Sequence, residues 1–277
     1  MGSTITTRAA DGSAGDTDYG TVGATYAAYR QPEPLIAQRI LDVLGQARTV
    51  LNVGAGAGAY EPLDREVTAV EPSASMRAQR PSWLSAAVDA TAEALPFPDN
   101  HFDASMSIFS VHQWTRLEDG LRQMRRVTRG PVIILTCDPE LVQRFWLNEY
   151  APEVLAAEAR RYPNLRRIGA LLGGDVSCLS LPIPLRCRDG FNEAYYGRPE
   201  HLLHAPCRSA CSAWGFVSAT VVDRYVSHLR EDLEHGHWDR NYGHLREQPE
   251  FDGSLRLIVA RNRLGSVFEP APDPANG

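Results

Sequence analysis

Apolar and polar positions follow two rhythms between residues 34 and 137. PLIAQRILDVLG (34–45) has apolar residues at helical spacing and ends in Gly45, which predicts a helix with a glycine stop. LEDGLRQMRRVTRG (117–130) sets Leu117, Leu121, Met124 and Val127 on one face, a second helix closed by Gly130. Between and around these lie short apolar runs bounded by turn residues or polar segments. TVLNVGA (49–55), VTAVEP (67–72), AAVDAT (86–91), ASMSIFS (104–110) and PVIILTC (131–137) each predict a strand. Such alternation argues for a parallel sheet with helices on both faces. Ligands in such sheets bind beyond the carboxyl ends of the strands.

The alternation stops after Asp138. Residues 139–253 mix helix-like stretches such as ELVQRFWLNEYAPEVLAAEARRY with proline-containing loops and many aromatic residues. This segment is expected to be an insertion that caps the site. Within it IPLRC (183–187) is a candidate sixth strand, and LRLIVARN (255–262) predicts the last one. Residues 1–18 lack periodicity and residues 263–277 are proline-rich, so both are expected to be disordered tails around a domain spanning 19–262. The expected architecture is α/β and Rossmann-like: a seven-stranded sheet with a helical cap inserted after the fifth strand.

Composition narrows the function. A length of 277 residues suits one domain with an insertion, and 43% hydrophobic residues suffice for a sizeable core. A net charge of −6 argues against nucleic acid or an anionic membrane as partner. No apolar run reaches the roughly 18 residues of a membrane span, and the N-terminus lacks the apolar region of a secretory signal. The 5 cysteines are odd in number and contain no C-x-x-C pair, which points to a reducing, cytoplasmic setting. HLLHAPCRSAC (201–211) holds zinc-capable residues without two separated ligand pairs, and EDLEHGHWDR (231–240) reads as a helix end with solvated side chains, so no metal is expected. A small-molecule partner fits best, and a homo-oligomer is compatible with the sequence.

Gly54, Gly56 and Gly58 follow the first strand directly. Glycine permits positive φ and lets a ligand approach the backbone. Glu71 ends the next strand, where a carboxylate can accept hydrogen bonds from ribose hydroxyls. Dinucleotide binding is the competing reading, but its G-x-G-x-x-G fingerprint puts two residues between the last glycines, and one stands here.

VLNVGAGAGAYEP, VTAVEPSASM, ATAEALPFPDNHFD and SIFSVHQW, in that order, resemble the class I S-adenosylmethionine (SAM)-dependent methyltransferases. The likeness is to the ubiquinone/menaquinone-biosynthesis group and its small-molecule relatives, and covers roughly residues 26–137. It implies S-adenosyl-L-methionine as cofactor. Gly54 and Gly56 would line its methionine part and Glu71 would bind the ribose. Met76 would pack on the adenine, with Thr91, Ala92 and Glu93 at its edge, and Ala55, Pro72 and Phe109 would complete the wall. Two positions depart from the pattern: Asn52 and Thr91 stand where the family often carries a carboxylate. In similar proteins a helix at 19–34 closes over the cofactor. There Tyr26 would face it, and Arg30 would pair with its carboxylate or lie on the surface.

His112, beyond the fourth predicted strand, is the candidate catalytic base; the alternative is a histidine that bonds the backbone or packs beneath the cap. Trp114 is a substrate platform or a core anchor. Tyr19, Trp146, Tyr195 and Tyr196 are further candidates for a substrate wall, because aromatic walls suit a flat apolar ligand. The expected activity is methylation of a small apolar, aromatic metabolite. Some likeness to carbon-methylating enzymes of actinobacterial indole alkaloids points to an indole carbon. Methylation at oxygen or nitrogen, and a non-catalytic SAM-binding protein, are the alternatives.

Overall fold

The computed structural model describes residues 26–262. Both predicted tails and Tyr19 lie outside the described residues.

Helix α1 (Tyr26–Tyr29) leads to α2 (Pro34–Leu44). Pro34 occupies the first turn of α2, the Glu33 side chain accepts from Leu35 N, and Gly45 at φ 55° ends the helix. Strands β1 (Thr49–Val53) and β2 (Glu66–Val70), the short α3 (Ala74–Ala78), β3 (Ala104–Ile108), α4 (Leu117–Val127) and β4 (Val132–Cys137) follow. Helix α4 stops short of the predicted Gly130. Thr128 instead turns its hydroxyl onto Met124 O and Ser105 Oγ, and Gly130 lies where a Cβ would meet Asp103 O at 2.1 Å.

The cap contributes α5 (Leu147–Tyr150), α6 (Pro152–Arg161), α7 (Leu165–Leu172), β5 (Asp175–Ser180), β6 (Ile183–Pro184), α8 (Ala205–Ser209), α9 (Ala219–Glu234), α10 (His237–Tyr242) and β7 (Glu250–Phe251). Strand β8 (Leu255–Arg261) closes the fold. The main sheet has the order β2-β1-β3-β4-β8-β5. The first four strands are parallel, and β8 runs antiparallel to both β4 and β5.

The sheet thus has six strands, not seven. AAVDAT gives only an isolated bridge from Val88 to Val70, after which the chain turns (Ala90 N to Val88 O, 3.0 Å). IPLRC keeps two strand residues, which pair with β7 away from the main sheet. A turn from Cys187 N to Pro184 O then ends the strand. The edge strand β5 has no periodic signature, because nearly all its residues are exposed.

Alternation along the strands divides the core between the two faces. Val50, Met106, Ile133 and Leu135 point to one side, where they meet α2 and the aromatic residues of the cap. Leu51, Val53, Val132 and Ile134 point to the other, against Leu121, Met124, Ile168 and Leu172 of α4 and α7. Each such side chain, fully buried, stabilises the fold by about 1.5–3 kcal/mol. The segment after β4 therefore joins the core on both faces, through its aromatic residues on one and α7 on the other. Among the described residues no helix is long and apolar enough to cross a membrane.

Candidate active site

The loop after β1 is fixed by its backbone. Gly54 N and Ala55 N donate to Val70 O at 2.9 and 3.0 Å. Gly54, Gly56 and Gly58 take φ of 69°, 53° and 89°. A Cβ at Gly54 would stand 1.7 Å from Ser110 Oγ, so both conformation and space exclude a side chain there. Glu71, just past β2, locks the loop from the other side: its Oε2 accepts from Gly56 N at 2.8 Å and its Oε1 from Ser73 N at 2.9 Å. Burial raises the Glu71 pKa, while these two N–H groups hold it down.

Above the carboxyl ends of β1 to β3 the loop borders a pocket of about 1030 Å³ counting its open mouth. Arg30, Asn52, Gly54, Ala55, Gly56, Glu71, Pro72, Met76, Thr91, Ala92, Glu93 and Phe109 line it. These are the residues the sequence pointed to for the cofactor, apart from Tyr26, whose side chain lies outside the described residues. Asn52 donates from Nδ2 to Glu61 Oε1 at 3.1 Å, and Glu61 is gripped by both terminal nitrogens of Arg80. The buried Asn52 Oδ1 meets no protein donor. Glu61 and Arg80 thus orient the amide that replaces the usual carboxylate.

Arg30 is neither a surface residue nor free for a ligand alone. Its Nε donates to Asp189 Oδ1 and its Nη2 to Asp189 Oδ2 at 3.5 Å. The Tyr60 hydroxyl donates to Asp189 Oδ2 at 2.9 Å and accepts from Glu33 N at 3.2 Å. Burial and the Asp189 charge push the Tyr60 phenol well above its usual range. Tyr60 and Asp189 also line the pocket. Neither was apparent in the sequence, where 129 residues separate them.

Phe109, directly after β3, sits at φ 51°, a left-handed conformation that costs a residue with a side chain about 1–3 kcal/mol. With Arg30, whose guanidinium lies 5.1 Å from its ring centre, Phe109 forms a wall shared with a second, smaller cavity. That cavity, about 540 Å³ counting its open mouth, is lined by His112, Glu158, Arg161, Tyr162, Phe191, Asn192 and Cys211, among others. His112 lies in the 3-10 turn Val111–Gln113, edge-on to Tyr162 at 5.0 Å. Burial lowers its pKa to about 3, with Arg161 and Arg30 adding to the effect. A neutral imidazole that weakly basic is a poor proton acceptor near pH 7.

Glu158 was not singled out in the sequence. It shares one face of α6 with Arg161 and Tyr162, spaced i, i+3, i+4. Its Oε2 accepts from Asn192 Nδ2 at 2.8 Å and its Oε1 from the Tyr162 hydroxyl at 3.3 Å. Asn192 is held in turn by Trp214 Nε1 at 2.9 Å. Burial raises the Glu158 pKa. The spacing in EARRY was the available signal, but nothing local marks that face as lining a cavity.

Four expected substrate residues lie elsewhere. Trp114 bonds Ser110 Oγ through Nε1 at 3.1 Å and lines the larger pocket, not the smaller one. Trp146, Tyr195 and Tyr196 are buried and line neither pocket. Trp146 donates to Tyr196 O, the Tyr196 hydroxyl donates to Gln248 O, and Tyr195 stacks on His201. These rings pack into the core that the cap shares with the sheet. Among the described residues, no three His, Cys, Asp or Glu side chains are placed to hold a metal ion.

The Methyltransferase domain family matches residues 51–135, the span that supplies most of the larger pocket's lining. The ubiquinone/menaquinone biosynthesis C-methyltransferase UbiE of Azotobacter vinelandii is 50% identical over 50 residues, 17% of this chain and 20% of that protein. The enzyme of the same name from Escherichia fergusonii is 36% identical over 90 residues, 32% of this chain and 33% of that protein. The chain therefore matches only a fifth to a third of the length of these curated relatives. A crystal structure from Anabaena variabilis, assigned as a methyltransferase of an antibiotic biosynthesis pathway, is 30% identical. It superimposes with a TM-score of 0.79 over 84% of this chain and 99% of that one. The pocket suits the cofactor such proteins use. An unmatched buried carbonyl oxygen on Asn52, the Glu71 carboxylate and a side-chain-free glycine wall form a site for an ammonium, vicinal hydroxyls and a close-lying ligand backbone. On fold, motif and pocket together, this chain belongs to the class I S-adenosylmethionine-dependent methyltransferases.

Proposed function

We propose that the protein methylates a small, flat aromatic acceptor, an indole-like ring in our reading, seated in the smaller cavity, with carbon as the methylated atom. The observation that carries this is the wall common to the two cavities, Phe109 and Arg30. Among the described residues, these two side chains are where the cavities adjoin. The Phe109 and Phe191 rings pack against each other, 5.4 Å apart and tilted by 37°, and give the smaller cavity an aromatic side along which a planar ring can lie. The likeness to C-methyltransferases and to an antibiotic-pathway protein agrees with carbon methylation of a secondary metabolite.

In this reading Asn52 Oδ1 accepts from the cofactor's ammonium, Glu71 accepts from the ribose hydroxyls, and Gly54 and Gly56 admit the methionine chain. Met76 and Ala92 cover the adenine, with Thr91 and Glu93 at its edge. Bound S-adenosylmethionine supplies an electrophilic methyl carbon on a good leaving group. The chain's remaining task is to orient the acceptor and exclude water, which is worth roughly 7–11 kcal/mol of barrier. The strained Phe109 holds the dividing wall in place. His112, being neutral, serves as a hydrogen-bonding and packing group for the acceptor, not as a base.

The test is turnover of labelled S-adenosylmethionine against matched panels of indoles and phenols, with product mapping by NMR. Carbon-methylated indoles are expected. Methylation of the phenols alone, at oxygen, would overturn the reading.

A further inference from the structure

Among the described residues the smaller cavity holds one carboxylate on its wall, Glu158, and that carboxylate is prepared by its surroundings. Asn192 fixes one oxygen and Tyr162 the other, and Trp214 fixes Asn192 from behind. Each carboxylate oxygen can accept more than one hydrogen bond, so capacity is left for a donor inside the cavity. Phe109 and Phe191 line the same cavity. A ring lying along them presents its edge, not its face, to the polar wall. We propose that Glu158 is a catalytic residue that accepts the ring N–H of the acceptor and takes its proton during methyl transfer. The acceptors are thus azole-type aromatics bearing a free N–H. This inference rests on the function proposed above and names the acceptor class and the proton's destination.

The step balances without a further reactant. A ring carbon forms the new bond to the methyl carbon as the methyl–sulfur bond breaks. The positive charge left on the ring is discharged when the N–H proton passes to the Glu158 carboxylate. The resulting carboxyl returns the proton to solvent once product leaves. The groups facing Glu158 set its readiness. Arg161 and Tyr162 come from its own helix, and Arg30 from the N-terminal segment. His112 follows β3, Asn192 and Glu193 belong to the cap turn, Cys137 ends β4, and Cys211 lies across the cavity. Burial outweighs the two arginines and the hydrogen bonds, so the carboxyl titrates above the ordinary range. That brings it nearer the pH at which a general base works best.

Two measurements test this. In turnover, Glu158→Gln is expected to lower kcat/KM for an N–H indole by roughly 10²–10⁴-fold. It should also abolish the wild-type fall in activity at acid pH, whereas His112→Gln keeps that fall. In binding, calorimetry on protein saturated with S-adenosylhomocysteine compares 3-methylindole with 1,3-dimethylindole. The wild type is expected to favour the N–H compound by at least about 10-fold, and Glu158→Ala to lose that preference. The binding measurement reads the contact whether or not turnover occurs. Wild-type protein that prefers the N–H compound yet methylates no ring defeats the functional reading and leaves the contact standing. Equal binding of the two compounds, or a Gln variant with wild-type kcat/KM and pH profile, overturns this inference.

Discussion

The two cavities are built by different means. Around the larger one the seat is shaped by local backbone and the side chains next to it: three glycines at positive φ, N–H groups held by Glu71, and Asn52 and Glu71 in or just past strands in parallel register. Around the smaller one it is shaped by side chains from separate elements, with Glu158 on α6, Asn192 in the cap and His112 beyond β3. A locally built site is specified by a few residues close in sequence. A site built from separate elements depends on how helices pack, and here they pack on a core of buried rings such as Trp146, Tyr150, Tyr196 and Trp238. The first kind suits a ligand common to a whole family, and the second suits one that changes between members.

If this contrast is right, substitutions in the two regions should separate cofactor binding from acceptor recognition. The largest effect is expected at Gly54. Gly54→Ala adds a Cβ into Ser110 at a left-handed position, so affinity for S-adenosylhomocysteine should fall by at least about 100-fold, roughly 3 kcal/mol, with the fold retained by circular dichroism. Unchanged affinity would mean that the loop is not the ligand's seat.

Next comes Glu193, buried against Ser254 N and Oγ where the cap joins β8, with its pKa raised to about 7 by burial. A raised acid favours the folded state while protonated. Its stabilisation is full below the unfolded pKa near 4.5 and is lost as pH rises through about 7. The loss amounts to roughly 3 kcal/mol. Denaturant unfolding from pH 4.5 to 8 should show this slope in the wild type and a flatter one in Glu193→Gln. Asp103, whose carboxyl is held low chiefly by Thr49 N and Arg129, acts in the opposite sense and only at lower pH.

A smaller effect is expected at Glu71. Glu71→Gln keeps the shape but removes the charge, and should weaken S-adenosylhomocysteine about 10-fold, near 1.4 kcal/mol, leaving the KM of the acceptor in place. The smallest belongs to Tyr196→Phe. Loss of the bond to Gln248 O should cost about 1 kcal/mol of unfolding free energy with no change in acceptor KM. A selective rise in that KM would return Tyr196 to the substrate wall.

These contrasts explain what could be read from the chain. The helices at 34 and 117, four of the five strands up to residue 137 and β8 follow from periodicity and turn residues, because each buries a regular face. The pocket around Gly54, Glu71 and Met76 was legible because its parts are adjacent in sequence and need particular residue types. Strand β5 was not, because an exposed edge carries no apolar alternation. Arg30, Tyr60 and Asp189 meet only in the folded chain. The rings at 146, 195 and 196 misled because an aromatic residue fits a pocket wall and a core equally well by composition, and packing alone decides.

The central claim is that acceptor and cofactor occupy adjoining cavities that meet at Phe109. A crystal structure of the ternary complex with S-adenosylhomocysteine and an accepted indole tests it most directly. The acceptor ring should lie along Phe109 and Phe191, its nitrogen toward Glu158 and its reacting carbon in direct line with the sulfur beside Phe109. An acceptor bound away from His112 and Glu158, or reaching the sulfur from another side, would contradict it.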